Sequence, residues 1–413
     1  MIHPHSHALT AAAAIADRLA DPRCAHAERP RDSGGRPLPQ SLAGGAAGIA
    51  LLHIERARSG HGDWRLAHTW LSAAARGDLS AGPNANLYFG APTLAFATHA
   101  AADHPGKYER ALAKMDASTI RLTQRRLDDA HARIDRAERP LLAEFDLIRG
   151  LAGLGSYHLQ RHPEHDITRA VLTYLVRLTE PLRHERDGLP GWWTTVSPNG
   201  EPSPDFPGGH GNFGMSHGIA APLALLSLAL LRNITVDHHA DAIARICAVV
   251  DTWQQHHPSG PWWPGFLTRE QFHHGPTQRD NHQRPSWCYG IPGLARAHQL
   301  AGLATGNTQR RHTAEAAMLG CLRDSTQLDR LAHRGLCHGT AGLLQTAWRI
   351  AADAHTPDLA HELPKLVSQL LSQLRSPNDP ELLDGDAGVA LALHTAGTGT
   401  APVTRWDSCL LLT

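Results

Sequence analysis

The sequence predicts an all-α chain folded as an (α/α) toroid of seven helix-pair repeats, with small rim insertions that have room for short β-strands. Three observations carry that prediction. A glycine-centred turn recurs seven times, each copy opens an apolar stretch free of turn residues, and more highly charged stretches with helical spacing lie between the copies. The first glycines are Gly45, Gly90, Gly150, Gly218, Gly290, Gly339 and Gly385, at intervals of 45, 60, 68, 72, 49 and 46 residues. A period of this size marks stacked supersecondary units, each too small to bury its apolar face alone. Five copies add a second glycine three residues on, at Gly48, Gly153, Gly293, Gly342 and Gly388, whereas Thr93 and Ala221 stand there in copies two and four.

Residues 8–16 are alanine-rich, lack a basic segment before them and run into Asp17-Arg18, so they read as an amphipathic first helix and not a signal peptide. The apolar stretches at 49–52, 343–347 and 389–393 read as buried inner helices that start at the glycine turns. Residues 219–231 form the longest apolar run. They fall short of the ~18 needed to cross a membrane and read as another inner helix. Residues 108–134 and 167–182 are charged with helical spacing and belong to half-exposed outer helices. In such a toroid the glycine turns line one rim, with the N–H groups of the inner helices facing the cavity.

The two longest intervals hold insertions near 185–210 and 258–285. In the first, 189–200 reads as a short strand followed by a turn; in the second, 261–266 leads into a polar, His-rich stretch. Trp192, Trp193, Trp262 and Trp263 fall here, either as a peptide-contacting surface or as aromatic plugs that seal the insertions. His256-His257 and His273-His274 read as solvated loop.

A length of 413 residues with 42% hydrophobic content suits one large helical domain spanning 1–413. The 39 basic and 39 acidic residues cancel, so nothing favours nucleic acid or an anionic membrane surface as partner, and no direct membrane insertion is expected. Cys24, Cys247, Cys321 and Cys409 are scattered without disulfide-like spacing, which points to the reducing cytoplasm.

The chemistry concentrates in two of the glycine turns. Cys337-His338 precedes Gly339, and Cys288 sits in Trp287-Cys288-Tyr289-Gly290. Two thiolates and an imidazole make a three-ligand zinc set, and zinc with three protein ligands keeps its fourth position open for water or substrate. Thirty histidines and six cysteines guarantee chance neighbours, so the shared Gly-x-x-Gly setting is what singles these out. The bland reading is a pair of buried cysteines behaving as small hydrophobes beside a surface histidine.

The repeated Gly-x-x-Gly inner helices, Trp287-Cys288-Tyr289-Gly290, Cys337-His338-Gly339 and the terminal Trp406-Asp407-Ser408-Cys409-Leu410-Leu411-Leu412 together resemble the lanthionine synthetase C-like cyclases, from about Gly44 onward. The resemblance implies an α/α toroid with one zinc per chain in its central cavity, held by Cys288, Cys337 and His338. It implies further site positions at Asp146, His217 and Arg284. The departures are the weak second repeat and Ala221-Pro222, where the family more often keeps Pro-Gly; both touch a turn and no chemical group.

The implied reaction is intramolecular Michael addition. A cysteine thiol of a dehydrated, leader-bearing precursor peptide attacks dehydroalanine or dehydrobutyrine and closes a lanthionine or methyllanthionine ring, as in lantibiotic biosynthesis. The implied partners are a separate dehydratase and a membrane exporter complex, with this chain as a stand-alone cyclase. His217 is expected to move a proton, Asp146 to orient it, and Arg284 to stabilise an enolate or hold Asp146. The bland alternatives are a helix cap for Asp146, a core hydrogen bond for His217 and a surface charge for Arg284. One rival is a non-catalytic zinc protein of the same fold that binds glutathione or a cysteine-bearing peptide. Another, a carbohydrate-active toroid using Asp146, Asp384 or Asp386, would leave the cysteines idle.

Overall fold

The computed structural model describes residues 4–23, 40–183, 186–277 and 283–413. Cys24 and parts of both insertions (184–185 and 278–282) lie outside the described residues. The helices run in chain order as α1 (Pro4–Arg18), α2 (Ala46–Arg58), α3 (Trp64–Ala74), α4 (Ala91–Ala101), α5 (Glu109–Asp135), the single turn α6 (Leu142–Phe145), α7 (Leu151–Arg161), α8 (Asp166–Leu178), α9 (Ala220–Leu231) and α10 (His239–Thr252). They continue as the short α11 (Arg269–His274), α12 (Ile291–Thr305), α13 (Thr308–Arg323), the turn α14 (Ser325–Leu328), α15 (Thr340–Ala352), α16 (Asp358–Ser372) and α17 (Asp386–Thr398).

Seven of these helices, α2, α4, α7, α9, α12, α15 and α17, each pack on the next, and α17 packs back on α2. The expected toroid therefore closes. Each inner helix begins at one of the seven glycine turns and carries an outer partner: α3, α5, α8, α10, α13 and α16 serve the first six. The seventh partner is α1, so the first helix of the chain completes the pair opened by the last inner helix. Ala8, Ala12, Ile15 and Ala16 of α1 are buried at helical spacing, and Arg18 pairs with Asp386 at 3.0 Å.

Local chemistry sets the boundaries. Helix α8 buries Ile167, Val171, Leu172, Leu175 and Leu178 on one face, but stops at Leu178 short of the expected 182. Pro181 pushes the residue before it out of helical backbone and ends the helix. A Cβ at the second glycine would lie 1.9–2.1 Å from the carbonyl oxygen six residues earlier, in Gly48, Gly153, Gly293, Gly342 and Gly388 alike. That contact packs each turn under its own helix. In the second repeat Thr93 uses its Oγ1 to donate to the corresponding carbonyl, Leu87, at 2.7 Å, which explains the departure from glycine.

The C-terminal segment fills the middle of the ring. Trp406–Leu410 form a buried 3-10 turn. Its carbonyls accept from Ser156 Oγ (to Ser408, 2.7 Å), Tyr88 Oη (to Cys409, 2.7 Å) and Trp287 Nε1 (to Leu410, 3.0 Å). Asp407 is fully buried and takes a bidentate pair from Arg349 at 2.6 and 2.8 Å, the geometry that makes a buried charge tolerable.

Among the described residues four three-residue strands, β1 (His210–Asn212), β2 (Gln255–His257), β3 (Gly260–Trp262) and β4 (Phe266–Thr268), lie in or beside the insertions. Strand β1 runs antiparallel to β4 and β2 to β3. The strand expected within 189–200 reduces to one bridge, Thr194 to His210. Pro190 and Pro198 flank it and neither can donate to a ladder. Trp192, Trp193, Trp262 and Trp263 are all buried, so the tryptophans are plugs and not a contact surface. Among the described residues no helix is long and apolar enough to cross a membrane.

Candidate active site

The repeat register brings the candidate residues together. The residue two places before each first glycine is Ala43, Tyr88, Ile148, Ser216, Cys288, Cys337 or Leu383. Backbone bonds lay these turns side by side around the rim: Met215 N to Cys288 O at 2.9 Å, Cys288 N to Cys337 O at 3.1 Å, Cys337 N to Leu383 O at 2.9 Å and Leu383 N to Ala43 O at 3.1 Å. Cys288 and Cys337 thus hold one structural position in adjacent repeats. One residue further on, the same alignment puts His217, Tyr289, His338 and Asp384 in consecutive turns. Gly290 has φ 132°, a value that favours glycine, and keeps the Cys288-Tyr289 turn tight.

The ligand-type atoms of Cys288, Cys337 and His338 lie within 4.8 Å of one another, the one such cluster among the described residues. The hydrogen bond from Cys337 holds the Cys288 thiol far below its usual range, against the opposing effect of burial. The same contact, with burial, drives Cys337 up. His338 is raised by its hydrogen bond to Cys288. A thiol that coordinates a metal is deprotonated outright, so a cation at this cluster would be held by two thiolates. Two sulfurs and a nitrogen form a soft donor set able to hold zinc. Asp384 Oδ1 lies 3.4 Å from His338 Nδ1, the side from which a carboxylate fixes the tautomer of a ligating imidazole.

Asp146 and His217 form a second pair, with Asp146 Oδ2 2.6 Å from His217 Nδ1. The carboxylate is 1% exposed, and its other oxygen accepts from Arg149 N at 2.6 Å and Gly150 N at 2.8 Å, at the start of α7. One carboxylate thus braces the turn before α7 with one oxygen and meets the imidazole with the other. With Nδ1 engaged, Nε2 is the ring nitrogen left to exchange a proton.

His217 stands between two hollows. One, of about 370 Å³, is lined by His217, Arg284, Tyr289, Gln283, Asn199 and Phe266; the other, of about 160 Å³, runs from His217 past Asp146 and Arg149 to Leu141. Arg284 faces the first with its Nε buried and without a hydrogen-bond partner, and its charge bears on Cys337 and His338. It therefore links the two groups of candidate residues. Tyr289 Oη accepts from Asn212 Nδ2 at 3.0 Å, and burial pushes its phenol up to about 12. A larger apolar hollow of about 560 Å³ lies on the outer wall between α3 and α5, lined by Leu71, Leu79 and Met115 among others, and none of these groups reaches it.

Sequence reasoning missed Tyr289, Asn212 and Asn199. Tyr289 was within reach, because aligning the repeats puts it in the position of His217 and His338. Asn199 and Asn212 precede the fourth turn within the long third interval, where the shared turn pattern offers no counterpart for them.

The fold and this constellation define the class. The chain belongs to the lanthionine synthetase C-like proteins, whose family model matches residues 36–411. It is 23% identical over 277 residues to the nisin biosynthesis protein NisC of Lactococcus lactis subsp. lactis, an alignment that takes in 65% of this chain and 64% of that protein. The match thus spans just under two thirds of the length of that relative. Among solved structures, nisin cyclase shares the fold with a TM-score of 0.75 at 20% identity, covering 91% of this chain and 92% of that one.

Proposed function

We propose that the protein is a zinc-dependent lanthipeptide cyclase, closing thioether rings by adding peptide cysteine thiols to dehydroalanine or dehydrobutyrine. The observation that carries this reading is the placement of a Cys-Cys-His donor set and an Asp146-His217 pair in turns joined around one rim, with Arg284 between them. Cys288, Cys337 and His338 would hold one zinc, which supplies a Lewis acid that keeps a peptide thiol deprotonated near neutral pH.

The chain's own groups account for the rest. As sulfur bonds to the β-carbon, the alkene electron pair moves to the carbonyl as an enolate. Arg284 faces the hollow where that oxygen develops and can stabilise its charge. His217 Nε2 delivers a proton to the α-carbon, having taken up the proton released by the thiol, so no atom is lost. Asp146 keeps the ring in the orientation and tautomer this requires. The substrate is a dehydrated, leader-bearing precursor peptide. A separate dehydratase must act first, and the setting is the cytoplasm, with an exporter complex to remove the product.

Asp146→Asn tests the pair specifically. Zinc content and peptide affinity should stay as they are, while ring closure slows by less than on loss of His217 itself. A wild-type rate would reduce Asp146 to a brace of the turn before α7.

A further inference from the structure

Arg126, near the middle of α5, is a partly buried cation with no carboxylate within ion-pair distance among the described residues. Its hydrogen bonds go to three backbone carbonyls. NH2 donates to Pro83 O at 2.8 Å and Ala85 O at 2.9 Å, and NH1 donates to Arg149 O. Pro83 and Ala85 belong to the turn before α4, and Arg149 to the turn before α7. This is the one junction of the seven at which, among the described residues, no backbone hydrogen bond joins successive turns. The guanidinium takes the place of that bond.

The carbonyl of Arg149 and the N–H of Gly150 belong to the same peptide unit. That N–H donates to Asp146 Oδ1 at 2.8 Å, and Asp146 Oδ2 holds His217 Nδ1 at 2.6 Å. A chain of charge-assisted contacts therefore runs from Arg126 through one peptide group and one carboxylate to the imidazole. A donor on the carbonyl polarises the peptide and strengthens what its N–H gives to the next acceptor. Losing the clamp would free the Arg149-Gly150 peptide to turn and loosen the carboxylate.

We infer that Arg126 is a positioning residue for ring closure, fastening the peptide unit that orients Asp146 and, through it, His217. The inference rests on the proposed role of the Asp146-His217 pair. Arg126 lies on an outer helix and touches neither that pair nor the Cys-Cys-His set directly, so its effect is on the rate and not on metal or peptide binding.

A double-mutant cycle tests it, with Arg126→Ala and His217→Asn measured singly and together on a dehydrated, leader-bearing peptide carrying one dehydroalanine and one cysteine. Arg126→Ala should lower kcat by up to about 10²-fold, as a displaced catalytic group does, with KM and zinc content unchanged. The same substitution in the His217→Asn background should cost almost nothing further, because both act on one unit. Should Arg126→Ala fail to fold, Arg126→Lys serves in its place, since an ammonium on a shorter stem cannot span three carbonyls. An unchanged kcat in the variant used, or an equal loss in both backgrounds, would overturn the positioning role. If His217→Asn alone leaves the rate intact, it is the proposed function of the pair that fails.

Discussion

His217→Asn is expected to slow ring closure by about 10²- to 10⁴-fold, the usual loss when a general acid or base is removed. Zinc content and peptide affinity should not change. The side chain is partly exposed and hydrogen-bonds to Asp146, so asparagine can replace it without opening the core. Single-turnover kinetics with a pre-bound dehydrated peptide reads the chemical step alone. An undiminished rate would leave His217 as a structural group and shift the proton transfer to another residue of the cleft, with Tyr289 the next in line.

The second large effect is on the metal. Cys288→Ala and Cys337→Ala should each take zinc from about one per chain to little or none, because two protein ligands no longer make a stable site. Metal analysis of the purified variants reads this directly. The helical signal should survive, since the ring is held by seven helix pairs and by the buried C-terminal segment. Ring closure should fall with the metal. Full zinc in both variants would remove the basis for the donor set.

The fold was largely legible because it is written seven times. Gly45 and its six counterparts mark the inner helices, and the second glycine is required wherever a Cβ would strike the carbonyl six residues back, as at Gly48 and Gly342. The pairing of α1 with α17 was not legible, since the glycine pattern marks where inner helices start and leaves their outer partners unassigned. The strand expected in 189–200 failed for a local reason, the two prolines that flank Thr194.

The candidate site was legible where it follows the register. Cys288 and Cys337 share a repeat position, so their adjacency is a consequence of the ring. Asp146 and His217 came from resemblance alone; a contact between residues 71 apart depends on how two turns are laid together, which no local pattern records. Arg126 lay further out of reach. Nothing distinguishes it in sequence from Arg125 beside it, and only the three carbonyls around its guanidinium set it apart.

Thioether formation itself is read by following free thiols. A dehydrated, leader-bearing precursor peptide is incubated with zinc-loaded protein, with zinc-stripped protein and without protein, then alkylated and weighed, because ring closure itself leaves the mass unchanged. The zinc-loaded protein should remove alkylatable cysteines well above the background rate and give a single ring pattern, while the stripped protein should not. Free thiols that persist at the background rate, with glutathione binding tightly to the zinc-loaded protein, would contradict the cyclase reading and make this chain a thiol-binding protein on the same fold.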